Sequence, residues 1–272
     1  MAGLWLVAGV LAHAQEGTAV ARPDPDLSAP AQDDEFAALQ RSGPWDRPWA
    51  GVLPATDRTF MQLLAGQRWD EARAWLKNKR PRVNIADAYG ATPLTLAARA
   101  GQVALVQDLL DRGADPDARG VEGLTPLAAA AGADNDLVIK TLLNHGADPG
   151  VLSAGDATPL HLAARAGSVA AIRTLLQADP QALVAPDSKG RHPLAVAAQY
   201  GQLAAMQALV DEGLAVNTPC FYGVTALYYA ALARQSAAVA WLRAHGARST
   251  SVLTDLLIEK MSEPLVLPPV QP

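Results

Sequence analysis

The stretch Thr158-Pro159-Leu160-His161-Leu162-Ala163-Ala164 decides the reading of this chain, because its opening recurs. Thr92-Pro93-Leu94, Thr125-Pro126-Leu127, His192-Pro193-Leu194 and Thr225-Ala226-Leu227 share its register, and the five begin at intervals of 33, 33, 34 and 33 residues. Each is followed by an alanine pair: Ala97-Ala98, Ala130-Ala131, Ala163-Ala164, Ala197-Ala198 and Ala230-Ala231. A period this constant means stacked units. Local chemistry explains each unit. Thr suits the N-cap, where its oxygen takes an orphan amide, and Pro fits the first helical position, where its missing N–H is no loss. The helix so begun closes at Ala100-Gly101, Ala166-Gly167 or Tyr200-Gly201, Gly being suited to the left-handed residue after a helix.

Working outward, a second helix follows at once. Val103 to Leu110 and Val169 to Leu176 place apolar residues at i, i+3, i+6 and i+7, a one-sided stripe, and Gly113, Gly146, Gly213 and Gly246 stop it. A polar turn comes next, as in Gly113-Ala114-Asp115-Pro116-Asp117, and projects as a loop or hairpin. The alanine pairs let short helices approach closely while leucines fill the layer between them. One unit alone cannot bury its apolar face, so the units must stack.

The unit resembles the ankyrin repeat, most fully at Thr158 to Ala164. The resemblance covers about residues 57 to 255: a degenerate first unit at Asp57 to Tyr89, four closer ones, and a last at Gly223 to Gly246, with Val252 to Met261 as a capping helix. It implies an all-α solenoid of paired short helices with turn or hairpin connections, about six repeats long, in a repeat domain over 57–261. It also implies that His161 bonds between adjacent turns. The family's His is replaced by Thr95, Ala128, Ala195 and Tyr228 elsewhere. The fourth unit has one extra residue and His192 where the capping Thr belongs, so it is expected to be the weakest link. His145 and His245 precede closing glycines, where they can meet the last helix carbonyls.

Composition agrees with helices. The chain has 56 Ala and 37 Leu against 14 aromatics, which disfavours an all-β fold. Its net charge is −5, and its densest basic run, Lys77 to Arg82, is interrupted by Asn and Pro, so a nucleic-acid footprint is missing. Cys220 is the single cysteine, which removes disulfides and Cys-based metal sites. Nucleotide-binding Gly patterns, G-x-S-x-G and H-E-x-x-H are absent, and no two histidines have metal-ligand spacing. Asp115, Asp117 and Asp148 recur in successive turns and read as turn formers. No catalytic residue, cofactor or metal is expected.

Leu4 to Ala14 is an apolar run closed by Ala12-His13-Ala14, the small-x-small pattern ahead of a signal-peptidase cut, which makes 1–14 a signal peptide and Gln15 the new N-terminus. Thirteen residues, Ala2 to Ala14, would make a helix of about 20 Å, short of a ~30 Å hydrocarbon core, so no stable membrane insertion is expected. No Lys or Arg precedes the run, which leaves a cytosolic protein as the alternative. Residues 15–56 read as a Pro-rich flexible linker and 262–272 as a disordered tail. Trp45 and Trp49 in the linker either pack back on the first repeat or form a linear docking motif.

What remains is binding. The resemblance implies a concave surface made of turn tips and the exposed face of the first helices. Register maps Tyr89, Glu122, Leu124, Lys189, Arg191, Phe221 and Tyr222 to the tips, and Arg99, Arg165 and Tyr200 to the ends of first helices. The centre is bland, and the C-terminal side gathers Lys189, Arg191, Tyr200, Phe221 and Tyr222, residue types that dominate interfaces. The competing reading is that Phe221 and Tyr222 shield the neighbouring turn. The expectation is therefore a monomeric, non-enzymatic scaffold that binds another protein in a bacterial-type periplasm. A cytosolic module or an effector delivered into another cell are the alternatives.

Overall fold

The computed structural model describes residues 53–87, 90–120, 123–153 and 156–262. The signal-like run, most of the linker with Trp45 and Trp49, the last ten residues, and the tip residues Tyr89 and Glu122 lie outside them. Among the described residues there are thirteen α-helices, two short 3-10 segments and no strand.

The helices come in pairs: α1 (Ala55–Ala65) with α2 (Trp69–Lys79), α3 (Pro93–Arg99) with α4 (Val103–Leu110), and α5 (Pro126–Gly132) with α6 (Asp136–Asn144). Then follow α7 (Pro159–Ala166) with α8 (Val169–Ala178), α9 (Pro193–Gln199) with α10 (Leu203–Asp211), and α11 (Ala226–Leu232) with α12 (Ser236–Ala244). The last helix is α13 (Val252–Ser262). First helices pack on first helices from α1 through α11, second helices pack on second helices from α2 through α12, and α13 closes the first layer against α11. This is the expected all-α solenoid of paired short helices.

The caps follow the sequence chemistry with one exception. Thr92 Oγ1 accepts Thr95 N–H and Thr125 Oγ1 accepts Ala128 N–H, each at 3.2 Å, while Thr158 and His161 form a reciprocal capping box. Thr225 caps nothing with its side chain, and there the N1 proline is Ala226. His192 takes over the missing Thr cap: its Nδ1 accepts Ala195 N–H at 3.4 Å, and its other ring nitrogen donates to Thr218 O at 3.0 Å in the next turn. The extra residue of this stretch falls in a 3-10 turn, Pro180–Val184, opened by Asp179 whose carboxylate accepts Gln181 N–H. The alanine pairs and Leu94, Leu127, Leu160, Leu194 and Leu227 are at most 1% exposed, so the two layers meet without gaps at these positions.

The loops are tied from one unit to the next. Asn84 donates to Gly113 O and accepts Asp115 N–H, Asp117 accepts Asp148 N–H, and Asn217 donates to Gly246 O and accepts Arg248 N–H, all at 2.9 Å. Asp115 and Asp148 accept amides two residues on, as turn-forming aspartates do. At the N-terminal end the buried Asp57 accepts the Arg82 amide and its Nε, which fastens α1 to the turn after α2.

Candidate docking surface

The ends of each tip are joined by a backbone bond: Asp87 N to Ala91 O, Gly120 N to Leu124 O, Ser153 N to Ala157 O, Asp187 N to Arg191 O, and Cys220 N to Val224 O, at 2.7 to 3.1 Å. The last two tips are stitched together. Phe221 N donates to Gly190 O at 3.0 Å, and the Phe221 ring lies so close over Gly190 that a Cβ there would stand 2.1 Å from its Cγ. Gly190 has φ +71°, so glycine is required on both counts.

The expected residues divide by what they touch. Arg191 is turned inward: its guanidinium pairs with Asp187 at 2.7 Å, its side chain is 13% exposed, and it also bonds Gln199 at the end of α9. Asp187 is in turn saturated, since Oδ1 accepts the Lys189 and Arg191 amides and Oδ2 accepts Arg191 Nε. Arg191 thus folds the fourth tip and offers a partner little. Phe221 is half exposed and packs on Gly190, so it both shields the preceding tip and presents a ring edge. Tyr222 is different. It is 99% exposed and sits in the left-handed region at φ 60°, ψ 17°.

Lys189 is exposed on the neighbouring tip. The Arg165 guanidinium lies 5.6 Å from the Tyr200 ring centroid, a cation–π distance that joins the end of α7 to the end of α9. Arg99 at the end of α3 is half buried, and burial pulls its pKa down while nearby Asp87 opposes the shift. Leu124 is half buried at the close of its tip.

Two residues of this surface escape the register argument. Tyr228 and Tyr229 meet edge to face, ring centroids 5.3 Å apart, and Tyr229 Oη reaches to 3.5 Å from Lys189 O. The Tyr229 hydroxyl is pushed up to about 12, first by burial and then by Cys220, so it stays a neutral donor. Their signal was in the sequence: other repeats carry Thr95-Leu96, Ala128-Ala129, His161-Leu162 and Ala195-Val196 at these positions. Four of the five tyrosines therefore lie in the last two full repeats.

Burial raises the Cys220 thiol, which disfavours the nucleophilic thiolate. Both ring nitrogens of His161 are engaged, Nδ1 by Thr158 and Nε2 by Arg191 O at 2.9 Å, the expected bond to the adjacent turn. His145 and His245 each bond the carbonyl four residues back at 2.8 Å. Among the described residues no cluster of three or more His, Cys, Asp or Glu is placed to hold a metal, and no helix is long and apolar enough to cross a membrane.

A family model described as "Ankyrin repeats (3 copies)" matches residues 105–184 and 181–252, and one described as "Ankyrin repeat" matches residues 89–118. A search of curated proteins returned no match. The chain belongs to the ankyrin repeat family, whose arrays are protein–protein interaction modules.

Proposed function

We propose that the chain is a non-enzymatic, monomeric adaptor that holds another protein through the tips and first helices of its last two full repeats. The observation that carries this reading is Tyr222. A large ring fully exposed to water, on a backbone conformation that costs a non-glycine residue about 1 kcal/mol, is a poor choice for stability alone and a good one for contact. Its neighbours supply what an interface centre uses: the Phe221 edge, the Tyr229 hydroxyl and the exposed Lys189. The rigid stack beneath them limits the entropy lost on docking. Replacing Tyr222 with Ala in the full chain should leave the thermal midpoint within a degree or so and weaken partner capture by about tenfold or more. Equal capture by the variant rejects this face.

The location we propose is the periplasm, on the strength of the apolar run ending Ala12-His13-Ala14. A cytosolic module is the second reading. N-terminal sequencing of the protein from fractionated cells separates them. Gln15 in the periplasmic fraction supports export, and an intact Met1 in the cytosol overturns it.

A further inference from the structure

We infer that the segment of the partner protein received by this face is acidic. The inference rests on the docking face proposed above and adds the chemistry of what it takes. Charge is divided unevenly along the chain. Residues 157–254 hold seven Lys/Arg and four Asp/Glu, a net of +3, whereas the rest holds 15 and 23, a net of −8. The four carboxylates are all occupied within the repeats. Asp179 accepts the Gln181 amide, Asp187 is closed on Arg191, Asp211 accepts Gln207 Nε2 on α10, and Glu212 faces Arg173 at 3.9 Å between second helices. None is left on the tips or first helices of the last two full repeats.

The cations there are differently placed. Lys189 is exposed on its tip and Arg234 is exposed at the end of α11, and neither has a carboxylate partner among the described residues. The Arg165 guanidinium lies over the Tyr200 ring. Tyr229 adds a neutral hydroxyl donor 3.5 Å from Lys189 O, and Tyr222 adds an exposed aromatic ring on the fifth tip. Exposed Asp156, on the tip before, ends the positive stretch. A surface of cations, hydroxyl donors and rings with its own carboxylates satisfied is complementary to a carboxylate-bearing peptide and repels a basic one. Two exposed cations fall short of the four to eight that a polybasic membrane-binding cluster uses, so an anionic lipid surface is the poorer fit.

The test uses the full chain with a photo-crosslinking phenylalanine derivative in place of Tyr222, irradiated in cells, and the captured segment sequenced. In parallel, two fluorescent twelve-residue peptides of equal aromatic content are titrated, one bearing four Glu and the other four Lys. The Glu peptide is expected to bind, to weaken as salt rises, and to lose about tenfold in affinity with Lys189→Glu or Arg234→Glu, while the Lys peptide does not compete. Both sites are exposed, and an unchanged thermal midpoint confirms that the variants fold. A captured segment that is neutral or basic, a Lys peptide that binds as well, or tighter binding to phosphatidylglycerol vesicles overturns the acidic partner. A captured neutral segment would still leave the docking face standing. No crosslink at this position, or crosslinks only to the chain itself, removes the face and the inference together.

Discussion

His161 and His192 show how one side chain can do two structural jobs at once. In each, the ring nitrogen Nδ1 accepts at a helix start, so Nε2 carries the proton and donates to a carbonyl of the following turn, Arg191 O or Thr218 O. A threonine can only cap. His192→Thr therefore trades a bridge between repeats for a better cap and should lower stability by about 1 kcal/mol in urea unfolding. An increase would mean that the bridge contributes nothing. Both rings are held below the ordinary imidazole value, chiefly by burial. The unfolded chain then takes up protons first as pH falls. The stability contributed by the neutral rings is complete above about pH 6.5 and is lost below it, toward the lower folded values. A His161→Asn, His192→Asn double variant should be flatter than the wild type between about pH 7 and 5, a range above the titration of ordinary carboxylates. Tyr222 makes a third case, because glycine would relieve its left-handed backbone. Tyr222→Gly should raise the thermal midpoint slightly while weakening capture, and a fall in the midpoint would show that the exposed ring is stabilising.

Between elements, the contacts that matter most join one repeat to the next, and here the sequence was only partly legible. The period, the caps and the alanine pairs could be read because each is local chemistry repeated at a fixed spacing. The clamps could not, since they need two repeats in place. Asn135 donates to Ala98 O and Arg99 O, and Gln202 to Arg165 O, each amide lying over the left-handed glycine of the repeat before, Gly101 or Gly167. Where Asp134 replaces that glycine its side chain takes the space, and the small Ser168 bonds it instead. Arg191 was open to the same confusion: its type suggested an interface, but Asp187 four residues earlier on the same loop holds it inside. The join between the fourth and fifth tips gives a sharp test. Gly190→Ala meets both a positive φ and the Phe221 ring, whereas Gly213→Ala, at φ +101°, meets nothing within 4 Å. The first should cost more than 2 kcal/mol and the second about 1 kcal/mol, read from unfolding midpoints. Equal losses would mean that Phe221 swings aside freely.

Across the described array the main packing joins each repeat to its neighbours, so stability falls toward the ends unless they are capped. The proposed docking face stands on the last two full repeats, and among the described residues α13 covers α11 from beyond. That helix buries Thr254 and Ile258 but leaves Val252, Leu253 and Leu256 exposed, so it is a cap with a modest grip. The face thus lies at the C-terminal end of the array, where α13 packs on the helix that carries Tyr228 and Tyr229. Hydrogen exchange should find α5 through α9 most protected and α11 through α13 least. Ending the chain at Ser251 removes none of the residues assigned to the face. It should nevertheless speed exchange in α11 and weaken partner capture, while leaving exchange in α3 to α6 as it was, because one-dimensional coupling dies away within a repeat or two. Partner bound to the intact chain should do the reverse and slow exchange in α11 and α12 first. If the shortened chain keeps α11 as protected as before, α13 is not the cap, and the end of the array is held by packing between α9 and α11 alone.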